Sequence, residues 1–270
     1  MSTRSLKKWA LLLTFWIALH TSALRAQLLG PYGTSPITFE VDANGLLSAT
    51  GTYGGTGSLS LSGTGTRMFW YPQKAAFRAG GISGTDWNDS NIGVYSAAFG
   101  YNTTASGGMS TASGYGAKAN GYISTAFGEN STASGAASMA FGQSTTASGY
   151  QTTASGYGTT ASGDLSASFG LQTNTQSIES FAIGRWNVGG GTGTGHWWVS
   201  GSWVGTDPLF EVGNGTTIYA RADAFVVYKN GNAAVQGTFT AQGTIASHST
   251  VRCNAGGDLS MGSFTAGTAP

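Results

Sequence analysis

Groups able to do chemistry are few in this 270-residue chain, and their spacing argues against a catalytic centre. Asp207 and Glu211 lie close enough in sequence to suggest the acid and base of a glycosidase couple, but two carboxylates in a strand-turn segment read as ordinary surface residues. Lys118, Glu129, Asp164 and Glu179 are scattered, so nothing gathers titratable groups into the perturbed environment that catalysis requires. Beyond the first 26 residues the histidines are His196 and His248, and Cys253 is the sole cysteine. A lone thiol without a partnering base is no nucleophile, and without a second thiol it forms neither an internal disulfide nor a metal cluster. The Gly-Gly-x-Gly-x-Asp calcium repeat is absent, so no metal and no cofactor is expected. Asn102-Thr103-Thr104, Asn130-Ser131-Thr132 and Asn214-Gly215-Thr216 fit a glycosylation sequon, which arises readily by chance in such a composition. A net charge of +1 offers nothing to nucleic acid. The expectation is a protein that is not an enzyme.

The elements that would have to position any site are themselves unusual. The chain has 44 Gly, only 9% charged residues and yet 12% aromatics, a composition too rich in rings for a flexible Gly/Ser/Thr linker. Arg4, Lys7 and Lys8 precede an apolar run over residues 9–19, as in a secretory signal peptide. Cleavage after Ala26 is expected, so residues 1–26 read as a leader. The alternative, an uncleaved anchor, is disfavoured because the run is shorter than the ~20 residues a spanning helix needs.

Glycine recurs in one seven-residue phase from Gly100 to Gly184, broken only at Ser177. Two residues before each stands alanine, from Ala98 to Ala182, with Ser168 and Thr175 as the exceptions. A helix built on the unit A-x-G-x-x-x-x would carry a glycine every two turns, each costing ~1 kcal/mol relative to alanine, and would lack the large a/d pair of a coiled coil. The repeat therefore predicts an all-β parallel β-roll, or solenoid, whose stacked strands pair along the axis.

The residue between Ala and Gly sets the size of one coil. It is large and apolar only in alternate heptads, at Phe99, Phe127, Phe141, Phe169 and Ile183, so one coil is two heptads, 14 residues. About six and a half coils at ~4.8 Å per strand make a column on the order of 30 Å tall. Alternation of side chains along a strand puts alanine inside and those five residues on one outer wall. An apolar wall on a secreted protein needs covering, and the natural cover is another copy of the chain; threefold closure suits thin rolls around one axis. Phe99, Phe127, Phe141, Phe169 and Ile183 are thus the expected homotrimer interface. The alternative is a monomeric roll with the phenylalanines inside.

Ser96-Ala97-Ala98-Phe99-Gly100, Ser124-Thr125-Ala126-Phe127-Gly128, Ser138-Met139-Ala140-Phe141-Gly142 and Ser180-Phe181-Ala182-Ile183-Gly184 resemble the head repeats of YadA-type trimeric autotransporter adhesins. The resemblance implies a left-handed parallel β-roll trimer presenting a surface for attachment to cells, matrix or solid substrates. It carries over no binding residue, since family heads differ in ligand. Autotransporters end in a coiled-coil stalk and a β-barrel anchor; residues 263–270 show neither, so no self-contained membrane anchor is expected.

The flanks complete the organisation. Residues 27–94 form a β-rich cap, with Ile37-Thr38-Phe39-Glu40-Val41 alternating as a strand before the turn Asp42-Ala43-Asn44-Gly45. Trp70, Tyr71 and Trp87 read as a hydrophobic lid on the first coil, with a sugar-stacking platform as the sharper alternative. The roll spans 95–187. Residues 188–245 are a neck, including the Trp197 and Trp198 pair, followed by two strands, and 246–270 a weakly ordered tail. The function expected is that of a secreted or cell-surface adhesin-like structural protein, with outer-membrane association left open and an extracellular protein-matrix or glycan partner. A tail-fibre-like or appendage subunit is the alternative.

Overall fold

The computed structural model describes residues 26–28, 37–41, 47–54, 59, 61–191, 203–238 and 240. The expected leader, Trp197, Trp198, both downstream histidines, Cys253 and the tail beyond 245 lie outside the described residues, apart from the leader's last position, Ala26. Everything below concerns the unit Met1–Gln236.

The chain folds as a parallel β-solenoid with two unequal walls. Long strands, among them Ala97–Tyr101, Thr111–Tyr115, Thr125–Glu129 and Met139–Gln143, stack in a sheet of twelve; short strands, from Thr104–Ala105 to Asn174–Thr175, stack in a sheet of six. Ala112 pairs with Ala126, and Ala126 with Ala140, so equivalent residues recur every 14 positions. Each coil therefore holds one long-strand heptad and one short-strand heptad.

The core is a column of alanines. Ala98 through Ala161 are fully buried in a single cluster between the two closely spaced walls. Ser168 and Thr175, the exceptions to the alanine series, are buried too: the Ser168 hydroxyl donates to Thr173 Oγ1 at 2.8 Å and the Thr175 hydroxyl to Ser166 Oγ at 3.1 Å. At the corner entering several of the long strands, a buried Ser or Thr closes the turn on the carbonyl three residues back. Ser110, Ser138, Thr152 and Ser180 donate to Gly107, Gly135, Gly149 and Ser177 in this way.

The glycines follow from contact between coils. A Cβ on Gly135 would sit 1.8 Å from the carbonyl oxygen of Gly149, a distance no side chain survives. Ser177 is tolerated because no 14-residue coil follows it; its hydroxyl donates instead to Pro208 O at 2.8 Å.

At the N-terminal end the antiparallel pair Gly65–Tyr71 and Ala76–Ile82 joins the long-strand sheet, the latter strand pairing parallel with Ala97–Tyr101. Separately, Ala26–Leu28, Ile37–Val41 and Leu47–Thr50 form an antiparallel sheet of three. At the C-terminal end the structure departs from expectation. Pro208–Asn214 pairs parallel with Phe181–Arg185, so the roll gains one rung beyond residue 187; Asp223–Tyr228 and Ala233–Val235 then continue that sheet antiparallel. The insertion between the rungs takes the last one out of the seven-residue phase. No helix among the described residues is long and apolar enough to cross a membrane.

Candidate functional site: one apolar wall and two sealed ends

Along each long strand the alternation turns alanine inward and its successor outward. Phe99, Phe127, Phe141, Phe169 and Ile183 occupy one register column on the outside of the long-strand wall, with Ser113 and Ser155 between them. Phe99 and Phe127 are 40% and 39% exposed and the other three are half-buried. The column divides into stacks. Phe127 lies parallel to Phe141 with centroids 5.8 Å apart, Phe99 packs on Phe77 at 5.6 Å, and Phe169 packs on Phe181 at 5.5 Å.

The column is the centre of a wider patch that the residue between Ala and Gly did not reveal. One column over, on the same face, stand Met139, Phe181 and Phe210; at the strand ends stand Tyr101, Tyr115 and Tyr157. Period-two alternation applied to the whole strand, rather than to one slot, finds them. In the short-strand heptads the same slot is polar throughout: Ser106, Asn120, Ser134, Ser148, Ser162 and Gln176.

The ends of the alanine column hold the charged residues. Arg78 stands in register with Ala98 and Glu211 with Ala182, so each takes an interior alanine's place one rung beyond the repeats. Arg78 is fully buried. Its guanidinium donates to Phe77 O and Ser96 O at 2.8 and 3.1 Å, and to Ser96 Oγ and Ala105 O at 2.8 and 3.0 Å. Burial brings its pKa down to about 10. Trp87 covers the same end, its indole N–H donating to Thr103 O at 2.7 Å.

Glu211 does the converse: it accepts where Arg78 donates. The Asn187 amide donates to its Oε2 at 2.8 Å and the Gly189 N–H to its Oε1 at 2.9 Å, while the Val188 N–H donates to Asp223 Oδ1 at 3.0 Å. Burial, and then the neighbouring Asp223 carboxyl, push Glu211 up to about 8; burial also raises Asp223.

One sequence expectation is corrected here. Asp207 and Glu211 are not surface residues; they are 3% and 2% exposed, because their segment is a buried rung of the roll and not a solvated turn. Glu211 interacts with Asp223. In the aromatic lid, Tyr71 is buried and donates its hydroxyl to Asp89 Oδ1 at 2.6 Å, so it supports the cap and offers no ring to a sugar; Trp70 remains exposed. Both end plugs could have been found by reading the motif with its alanine slot left open. Arg78-Ala79-Gly80 and Glu211-Val212-Gly213 are A-x-G with the alanine replaced. Among the described residues no cluster of three or more His, Cys, Asp or Glu is placed to hold a metal ion.

The architecture defines a β-solenoid of 14-residue coils with one apolar and one polar wall. A family model described as the YadA head domain repeat (2 copies) matches residues 92–117, 105–128, 119–145 and 147–170. Residues 92–170 thus carry YadA head repeats, and the solenoid seen there is the form a YadA-type head takes. No curated protein matches the chain.

Proposed function

We propose that this chain is a non-enzymatic, adhesin-like surface protein, exported by its first 26 residues, whose roll assembles as a homotrimer through the Phe99, Phe127, Phe141, Phe169 and Ile183 column. The observation that carries the reading is an apolar column left partly in water along a solenoid that matches YadA head repeats. In this arrangement the polar walls of three copies face outward and engage an extracellular protein or glycan through many weak contacts, whose avidity exceeds any single one.

The energetics require more than the central column. Completing the burial of a phenylalanine or isoleucine that is already more than half covered contributes about 1 kcal/mol, so the four phenylalanines and Ile183 supply about 5 kcal/mol per copy. That lies at the low end of the ~4–15 kcal/mol cost of association, so Met139, Phe181, Phe210 and the strand-end tyrosines must share in the interface.

The test is the solution mass of residues 27–270 by light scattering, beside the variant Phe127→Ser/Phe141→Ser/Phe169→Ser. A trimer that dissociates in the variant, with the β circular dichroism retained, supports the proposal. A wild-type monomer refutes it.

A further inference from the structure

The C-terminal plug has chemistry that neither the repeat nor an attachment function needs. Inside the roll a carboxylate requires either a cation or several N–H donors, since a buried charge left uncompensated costs several kcal/mol. Glu211 and Asp223 share three donors, the Asn187 amide and the backbone N–H groups of Gly189 and Val188, and their carboxyl groups interact with each other. Among the described residues, the nearby cations Arg221 and Arg185 are committed elsewhere. Arg221 donates to the backbone carbonyls of Gln172 and Asn187 at 2.9 and 3.1 Å, and the Arg185 guanidinium lies over the Trp186 ring at 5.4 Å. Asp207 and Lys229 sit at the far end of the same strand pair, linked by the Lys229 N–H to Asp207 O. Two buried carboxylates that draw on adjacent donors of one short loop repel each other when both are ionised, and retaining one proton relieves that repulsion.

We propose that Glu211 and Asp223 form a proton-dependent latch that seals the C-terminal end of the roll while one proton is shared and opens it when both carboxyls ionise. What the latch holds is defined by its donors: the loop 187–189, which folds over the last alanine, and the strand Asp223–Tyr228, which Glu211 ties to the rung Pro208–Asn214. Opening frees that loop and the antiparallel strands after it, while the coils above keep their own backbone pairing, because each coil contacts only its neighbours. Arg78 at the opposite end is held by carbonyls and keeps its proton through pH 8, where the latch opens.

The direction follows from linkage. The folded pair holds its proton more tightly than the unfolded chain does, so its contribution to stability is complete below the ordinary carboxyl value of 4.5 and is lost as pH rises through about 8. An acid-stable, alkali-labile end is the opposite of the usual carboxylate behaviour.

The experiment is hydrogen exchange of the full chain read by mass spectrometry, with a chelator present, comparing the loop 187–189 with the reference strand Thr125–Glu129. Measurements run from about pH 6 to about pH 9.5 and are corrected for the intrinsic base-catalysed rate. Protection of the loop relative to the reference strand is expected to fall by up to about tenfold per pH unit from pH 6 toward pH 8 and to level off above it, and to stay flat in Glu211→Gln, whose amide cannot ionise. A flat wild-type profile overturns the proposal, as does an unchanged profile in the variant. If Glu211→Gln does not fold, Asp223→Asn is the second variant, and the wild-type profile is decisive without either.

Discussion

The two walls of the roll are built from the same seven-residue unit yet present opposite surfaces. On the long-strand wall the residue after alanine is Phe or Ile in five coils; on the short-strand wall it is Ser, Asn or Gln in every coil. The backbone differs as well. The long-strand glycines take a positive φ, +109° at Gly128, whereas their short-strand counterparts such as Gly135 do not and are required only by the close approach of the next coil. A small interior leaves the outer faces free of folding constraints, so one wall can be specialised for partners of low polarity and the other for water. The fold tolerates either; assembly is what tells them apart.

The comparison breaks most sharply at the glycines. Gly128→Ala and Gly135→Ala should each move the cooperative unfolding transition seen by circular dichroism to much lower urea, since the new Cβ would lie 2.0 and 1.8 Å from a neighbouring carbonyl oxygen. A loss of more than about 4 kcal/mol is expected for both, with Gly128→Ala worse by ~1–2 kcal/mol because alanine must also adopt its φ. Equal effects in a urea titration would show that the conformational difference between the walls carries no energy. The next largest effect is on assembly. The triple phenylalanine variant should lose its mass of three copies, while Ser134→Ala/Ser148→Ala/Ser162→Ala on the other wall should keep it. Dissociation of the alanine variant would move the interface to the polar wall.

The ends sharpen the contrast along the axis. At the N-terminal end the Tyr71 hydroxyl, followed by the charge of Lys74, holds Asp89 below its usual pKa, so that cap contributes stability above the ordinary carboxylate value and loses it as pH falls through the depressed one. Hydrogen exchange in the strand Ala76–Ile82 should therefore quicken toward acid while the loop 187–189 quickens toward alkali. Parallel behaviour at the two ends would mean that neither cluster governs its cap.

Smaller effects lie at the corners. Ile123 is a β-branched, 48% exposed residue at φ +56°, where Asn is far better tolerated, and Ile123→Asn should raise stability by ~1 kcal/mol in thermal melts. A destabilisation there would reveal packing by Ile123 that outweighs its strain. Smallest of all, Ser148→Ala alone should change the melting free energy by less than ~0.5 kcal/mol, as expected of a solvated side chain on the polar wall.

Much of the architecture was legible because the repeat encodes it locally. A glycine every seven residues, an alanine two before it and a large apolar residue in alternate heptads specify the coil length, the interior and the two walls, since each depends only on strand alternation and contact with the next identical coil. Even the exceptions made sense once placed: Ser177 lies where the stack of 14-residue coils stops, and Ser168 and Thr175 satisfy each other's neighbourhood inside the last one. Tertiary structure alone decided that Pro208–Asn214 is a rung of the roll and that Asp207 and Glu211 are buried. An insertion over 188–207 breaks the phase, and periodicity cannot say which later strand returns to the stack. Backbone pairing across that gap puts Glu211 in an alanine's place, and the side chain's length and charge then do what alanine could not: satisfy the N–H groups left bare where the repeat ends.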